Sequence, residues 1–109
     1  MQLTMEELKS LLETKSNRGA SPHPYAIGEN YFIRTVTHHY TGKLVAVFDQ
    51  ELLLEGAAWI ADDGRFADAV AKGTFNEIEP YPNDVKLIVG RGSVIDACQI
   101  GYPLPSSQK

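Results

Sequence analysis

The chain has 109 residues, of which 43% are hydrophobic and 22% charged, with a formal net charge of −4. That is ordinary globular composition for one domain, and it argues against disorder and against a second core. The acidic balance speaks against a DNA or RNA backbone, whose affinity comes from neutralising phosphates, and against an anionic membrane surface. A domain this small buries roughly 65% of the surface its unfolded chain exposes, so self-association is a natural way to widen a thin stability margin.

The first element reads as an amphipathic helix over residues 1–19. Thr4 and Glu7 form a capping box, Leu8, Leu11 and Leu12 make one apolar stripe, and Gly19 stops it. That stripe can pack on the domain's own sheet or on another subunit. Neither a basic n-region nor a long apolar run is found at the start, and no segment reaches the ~20 apolar residues of a membrane span. With a lone cysteine, Cys98, no intrachain disulfide can form. The expected compartment is the cytoplasm.

Residues 19–29 are irregular, since Pro22 and Pro24 bar a regular helix. Tyr31 to Tyr40 is rich in β-branched and aromatic residues and predicts a strand, Thr41-Gly42-Lys43 a turn, and Leu44 to Phe48 the returning strand. Asp49-Gln50 then turns the chain into Glu51 to Glu55, completing a three-stranded meander. Gly56 to Ala61 continues as extended or irregular chain, and Asp62-Asp63-Gly64 breaks it. A short helix is expected over 65–72, with Phe66, Ala69 and Val70 on one face and Gly73 as its stop. Glu79 to Asp84 reads as a proline-stiffened bend. Val85 to Val89 and Ser93 to Ala97 read as two further strands flanking Gly90-Arg91-Gly92, and 101–109 as a fraying tail. The expected fold is a single α+β domain: a small, mainly antiparallel sheet core over 30–98, the N-terminal helix, the second short helix and the tail.

Catalysis finds little support. His38 and His39 are adjacent, so in a strand they face opposite sides and cannot share a metal ion. No nucleophile elbow, Walker loop, dinucleotide fingerprint or zinc-protease motif is present, so no cofactor, no metal and no enzyme activity are expected. Asp62, Asp63, Glu77 and Glu79 read as solvated turn carboxylates, although Asp62 and Asp63 with a histidine would be the residues of a hydrolase.

Ligand binding has more to work with, and each candidate carries two readings. Gly90-Arg91-Gly92 places a guanidinium between residues without side chains, which suits a phosphate; the plainer reading is a tight hairpin turn with an exposed arginine. Phe66 can stack on a base or anchor its helix in the core. Asn76 can pair with the edge of adenine or simply serve a turn. Trp59 fits the core or the wall of a pocket. Arg34, among apolar strand residues, must face solvent, a partner chain or an anionic ligand.

These stretches, taken in order, resemble a known family. Asn30-Tyr31-Phe32-Ile33-Arg34-Thr35-Val36-Thr37 precedes Tyr40-Thr41-Gly42, and Ala57-Ala58-Trp59-Ile60-Ala61-Asp62 precedes Gly64-Arg65-Phe66. Glu79-Pro80-Tyr81-Pro82 and Arg91-Gly92 follow. Together they are similar to the Thoeris anti-defence family of small phage and prophage proteins, the first-described sponges for cyclic ADP-ribose signals. The resemblance covers about residues 29–105. It implies a non-catalytic protein that sequesters a cyclic ADP-ribose isomer made by bacterial immune enzymes. It also implies homo-oligomers, either dimers or hexamers built as trimers of dimers, and for some members the capture of cyclic di- or trinucleotides from the CBASS pathway. The resemblance gives Phe66 and Asn76 the adenine, and Arg91 and Arg34 the phosphates. This chain departs from the family in the spacing between Asn76 and Arg91. A protein-interaction or structural module without a nucleotide is the competing expectation, for which an exposed leucine stripe would serve equally well.

Overall fold

A computed structural model describes Thr4, Met5 and residues 23–109. All of the helix expected over 1–19 except Thr4 and Met5 lies outside the described residues. Among those described, the chain runs β1 (Asn30–Thr35), β2 (His39–Val47), β3 (Glu51–Asp62), α1 (Phe66–Lys72), β4 (Glu77–Pro80) and β5 (Leu87–Gly90). A one-turn 3-10 helix (Arg91–Ser93) and β6 (Val94–Gln99) complete it. The α+β expectation is therefore corrected: the described fold is a mostly antiparallel sheet with one seven-residue helix.

The predicted turn at Thr41-Gly42-Lys43 is the interior of β2. Gly42 is there for closeness, since a Cβ on it would lie 3.2 Å from the Leu54 Cβ, and the register with β3 shifts beside it. The real turn is Val36-Thr37-His38, two of them β-branched, which hid it from a reading by composition. Thr35 closes that turn with both ends of its hydroxyl, donating to the His38 carbonyl at 2.7 Å and accepting from the His38 amide at 2.9 Å. The stretch from Gly56 to Ala61 is also strand, with Gly56 at a φ of 57°.

The sheet order is β4-β3-β2-β1-β6. Along its outer edge β3 carries two short strands end to end, β5 opposite Glu51 to Leu54 and β4 opposite Ala58 to Asp62. Two hydrogen bonds show that this sheet is rolled. The Arg91 amide donates to the Gln50 carbonyl at 2.8 Å, and the Val36 amide donates to the Ser93 carbonyl at 2.9 Å. In a flat sheet Gln50 and Val36 would sit at opposite ends of the nine-residue β2, roughly 27 Å apart at ~3.4 Å per residue. The single 3-10 turn between Arg91 and Ser93 spans only ~6 Å. The register shifts in β2 supply the bend, because a bulge increases the local coil.

Inside the roll lie Tyr31, Ile33, Leu44, Leu52, Leu54, Ala57 and Val89, with Val94 and Ala97 packed on them. The opposite face carries a second core of Phe32, Ala58, Ile60, Ala69, Phe75, Ile78 and Ile100. Burial on both faces explains why β1 reads as a continuous apolar run rather than an alternating one. Each fully buried large side chain, such as Phe32 or Leu54, contributes on the order of 1.5–3 kcal/mol.

Helix α1 covers the second core through Ala69, and Asp68 in its first turn and Lys72 in its last complement the helix dipole. It stops at Gly73, in the left-handed region at a φ of 71°, as its sequence position indicates. The tail is docked, which corrects the expectation of fraying. Tyr102 donates its phenol to the Ala69 carbonyl at 2.8 Å, Leu104 packs on the second core, and Lys109 exchanges backbone hydrogen bonds with Ile78 of β4. Tyr102 and Leu104 close the apolar ground that α1 alone is too short to cover.

Candidate ligand-binding site

Register places Arg34 of β1 opposite Asp96 of β6. The guanidinium donates to both carboxylate oxygens, from Nε to Oδ1 at 2.8 Å and from Nη2 to Oδ2. That bond holds the Asp96 carboxyl below its ordinary 3.8 and raises the Arg34 guanidinium above its ordinary value. Held this way, the guanidinium lies 4.6 Å from the centroid of the Phe66 ring. A charged side chain inside an apolar strand is thus paired rather than merely solvated.

Phe66 opens α1 and is 44% exposed, its edge resting on Phe32 at 6.2 Å between centroids. Ala69 and Phe75 fill the core beneath the helix, which frees Phe66 from the anchoring role that its sequence position also allowed. Asn76 returns to the same end of the sheet. Its amide donates to the Asp62 carbonyl at 3.0 Å, and its side chain crowds Gly64, where a Cβ would meet Asn76 Oδ1 at 2.9 Å. Its Nδ2 stands 3.5 Å from Asp62 Oδ2, a long contact that leaves the amide edge ready for a better partner.

Arg91 sits in the 3-10 turn, not in a hairpin: β5 pairs with β3 and β6 with β1. The hairpin reading is corrected on that ground. Its Nη1 donates to the Phe48 carbonyl at 2.7 Å, which pins the β2–β3 turn. Its side chain lines a recess of about 500 Å³ with Tyr25, Tyr31, Val94 and Asp96. Along the chain it is roughly 12 Å from Asp96, so Arg34 and Arg91 bracket the start of β6. Arg34 and Phe66 are therefore in contact, Asn76 is at their end of the sheet, and Arg91 stands apart from all three.

His39 lies half-buried against Phe32, and its Nδ1 is 2.7 Å from Asp63 Oδ2. Asp63 is thus engaged, where a solvated turn carboxylate was expected. The adjacent His38, in the turn before β2, lies against Tyr40 and Trp59 on the other side of the sheet. No group of three histidine, cysteine or carboxylate side chains among the described residues is arranged to hold a metal ion. Nor is any helix among them long and apolar enough to cross a membrane. No family model, curated protein or solved structure matches this chain.

A second site went unforeseen. Cross-strand register aligns Tyr40 of β2, Trp59 of β3 and Glu79 of β4 in one row. With His38, Pro80, Tyr81 and Pro82 they line a recess of about 350 Å³. Trp59 is 36% exposed there, so it is a pocket wall rather than a core residue. Burial, and after it the neighbouring Tyr81, raises the Tyr40 phenol above its ordinary value. The available signal was the same-face pair His38 and Tyr40 followed by Pro80-Tyr81-Pro82; only the register brings them together.

Proposed function

We propose that this protein binds a cyclic ADP-ribose-type nucleotide in the bacterial cytoplasm and holds it without cleavage, acting as a sponge that blocks Thoeris immunity. The observation that supports this most is Arg34, fixed over the half-exposed Phe66 ring by its paired bonds to Asp96. A ring held in place is a platform for a base, and base–aromatic stacking contributes ~1–3 kcal/mol. Asn76 offers an acceptor and donors for the adenine edge. Asp96 occupies Nε and Nη2 of Arg34, leaving Nη1 for a phosphate oxygen. Arg91 is the second phosphate donor, and assembly of copies into a dimer or hexamer brings further residues to a pocket that one small chain leaves open. Retention without turnover needs only pre-organisation of such contacts.

Calorimetric titration with cyclic ADP-ribose isomers, followed by heat denaturation, tests the reading. Saturable binding and recovery of intact nucleotide are expected. Recovery of a cleaved product would move the assignment to hydrolysis through His39 and Asp63. Cyclic di- and trinucleotides form the second arm, as CBASS-pathway ligands. Light scattering giving a mass near 12.0 kDa would remove the oligomer from the proposal.

One observation favours a protein-interaction module instead. Val36 and Ile95, where the register between β1 and β6 slips, are 72% and 63% exposed at one corner of the sheet. An absence of heat with every nucleotide would leave that reading standing.

A further inference from the structure

We propose that the recess across β2, β3 and β4 binds a compact quaternary ammonium cation. The argument starts from its walls. Tyr40 and Trp59 are direct cross-strand partners, Trp59 and Glu79 are the next pair in the row, and Tyr81 stands two residues beyond Glu79. The His38 ring stacks on Tyr40 at 6.2 Å and meets Trp59 at 6.3 Å with a 54° tilt. A contact of 2.8 Å between Thr37 Oγ1 and His38 Nδ1 steadies the histidine. Three strands, the turn before β2 and the chain just past β4 thus bring four aromatic rings and one carboxylate to a single opening.

Chemistry selects the occupant. The negative faces of indole and phenol rings attract a cation within about 6 Å, and Trp is the strongest such face. Glu79 adds a full negative charge, and among the described residues no lysine or arginine lines the recess. An anionic ligand would meet the carboxylate with nothing to offset it, so this is not a phosphate site. A flat neutral base wants a parallel pair of faces to itself; the near-parallel pair, His38 and Tyr40 at 23°, stack on each other, and Trp59 is tilted 54° from His38. A methylated ammonium has no donors to satisfy and presents polarised methyl groups in every direction, which suits rings set at varied angles. The recess volume falls at the small end of the range for ligand sites, ~300–1,000 Å³. Walls carried by paired strands are pre-formed, so little ordering opposes binding.

The experiment compares choline with 3,3-dimethylbutan-1-ol, its uncharged carbon isostere, by the emission of Trp59, the only tryptophan. Choline is expected to shift that emission saturably and to bind about tenfold more tightly than the isostere, the scale of a partly desolvated cation–π contact. Trp59→Leu, read by saturation transfer to the choline methyl groups, is expected to abolish binding, and Glu79→Gln to weaken it several-fold. Circular dichroism of both variants establishes that they fold. Trimethyllysine amide in parallel distinguishes a side-chain source from a free small molecule. Equal binding of choline and the isostere, tighter binding of adenosine at Trp59, or no saturation by choline and trimethyllysine would each overturn the proposal.

Discussion

Replacing Gly73 with alanine tests how helix α1, its stop and the docked tail depend on one another. Gly73 has a φ of 71°, where an L-residue costs ~1–2 kcal/mol more than glycine. The added Cβ would also lie 2.5 Å from both Cδ1 and Cε1 of the Tyr102 ring, too close to tolerate without movement. Shifting that ring breaks the Tyr102 bond to the Ala69 carbonyl, worth ~0.5–1.5 kcal/mol. Gly73→Ala is therefore expected to destabilise by about 2–3 kcal/mol, lowering Tm by roughly 10 °C or more in a domain of this size. Urea unfolding followed by circular dichroism measures it. In a Tyr102→Ala background the clash is gone, and only the backbone cost of ~1–2 kcal/mol should remain. Gly101→Ala is the control, because among the described residues nothing lies within 4 Å of the position its Cβ would occupy. A Gly73→Ala cost below about 0.5 kcal/mol, or an equal cost in both backgrounds, would refute the account of the tail.

Asn76→Ala is expected to weaken binding of an adenine nucleotide about tenfold, within the ~1–3 kcal/mol of a base-edge pair, with little change in Tm. Calorimetry beside a melting curve separates the two effects, and loss of affinity only in step with unfolding would remove Asn76 from the site. Arg91→Ala should weaken nucleotide binding by ~1.5–3 kcal/mol. It should also loosen the β2–β3 turn, because the bond to the Phe48 carbonyl goes with it; faster amide exchange at Asp49 and Gln50 would report that. The Asp96 carboxyl is depressed in the folded state, so its contribution is present above the ordinary 3.8 and is lost as pH falls through its lower folded value. Urea midpoints between pH 2 and 6 should therefore fall more steeply for the parent than for Asp96→Asn, and parallel curves would deny the link.

The parts of this fold that were legible in the sequence are those written in local chemistry. Gly73 stops α1 because a residue without a side chain adopts that backbone at the least cost, and Asp62-Asp63-Gly64 breaks β3 for a similar reason. Gly42 misleads by the same logic: a glycine between Thr41 and Lys43 suggests a turn, yet its role is to let Leu54 approach from β3. The partners of the candidate site are non-local. Arg34 announced only that its charge must face solvent, a partner chain or an anionic ligand; its actual partner, Asp96, lies 62 residues away and is chosen by the β1–β6 register. His39 and Asp63 meet across 24 residues. The Tyr40-Trp59-Glu79 row is invisible until two registers are known at once.

The 3-10 turn that links β5 to β6 also bears on how the chain folds. The meander of β1, β2 and β3 can assemble from neighbours in sequence, but the seam between β1 and β6 joins Tyr31 to Gln99. That seam can form only after the intervening chain has been ordered, so folding should run on the slow side for a domain of this length, in the millisecond-to-second range of topologies dominated by distant pairings. Opening the ring requires the same seam to tear. Native molecules should consequently persist long between unfolding events, a kinetic durability that would serve the sponge role proposed above.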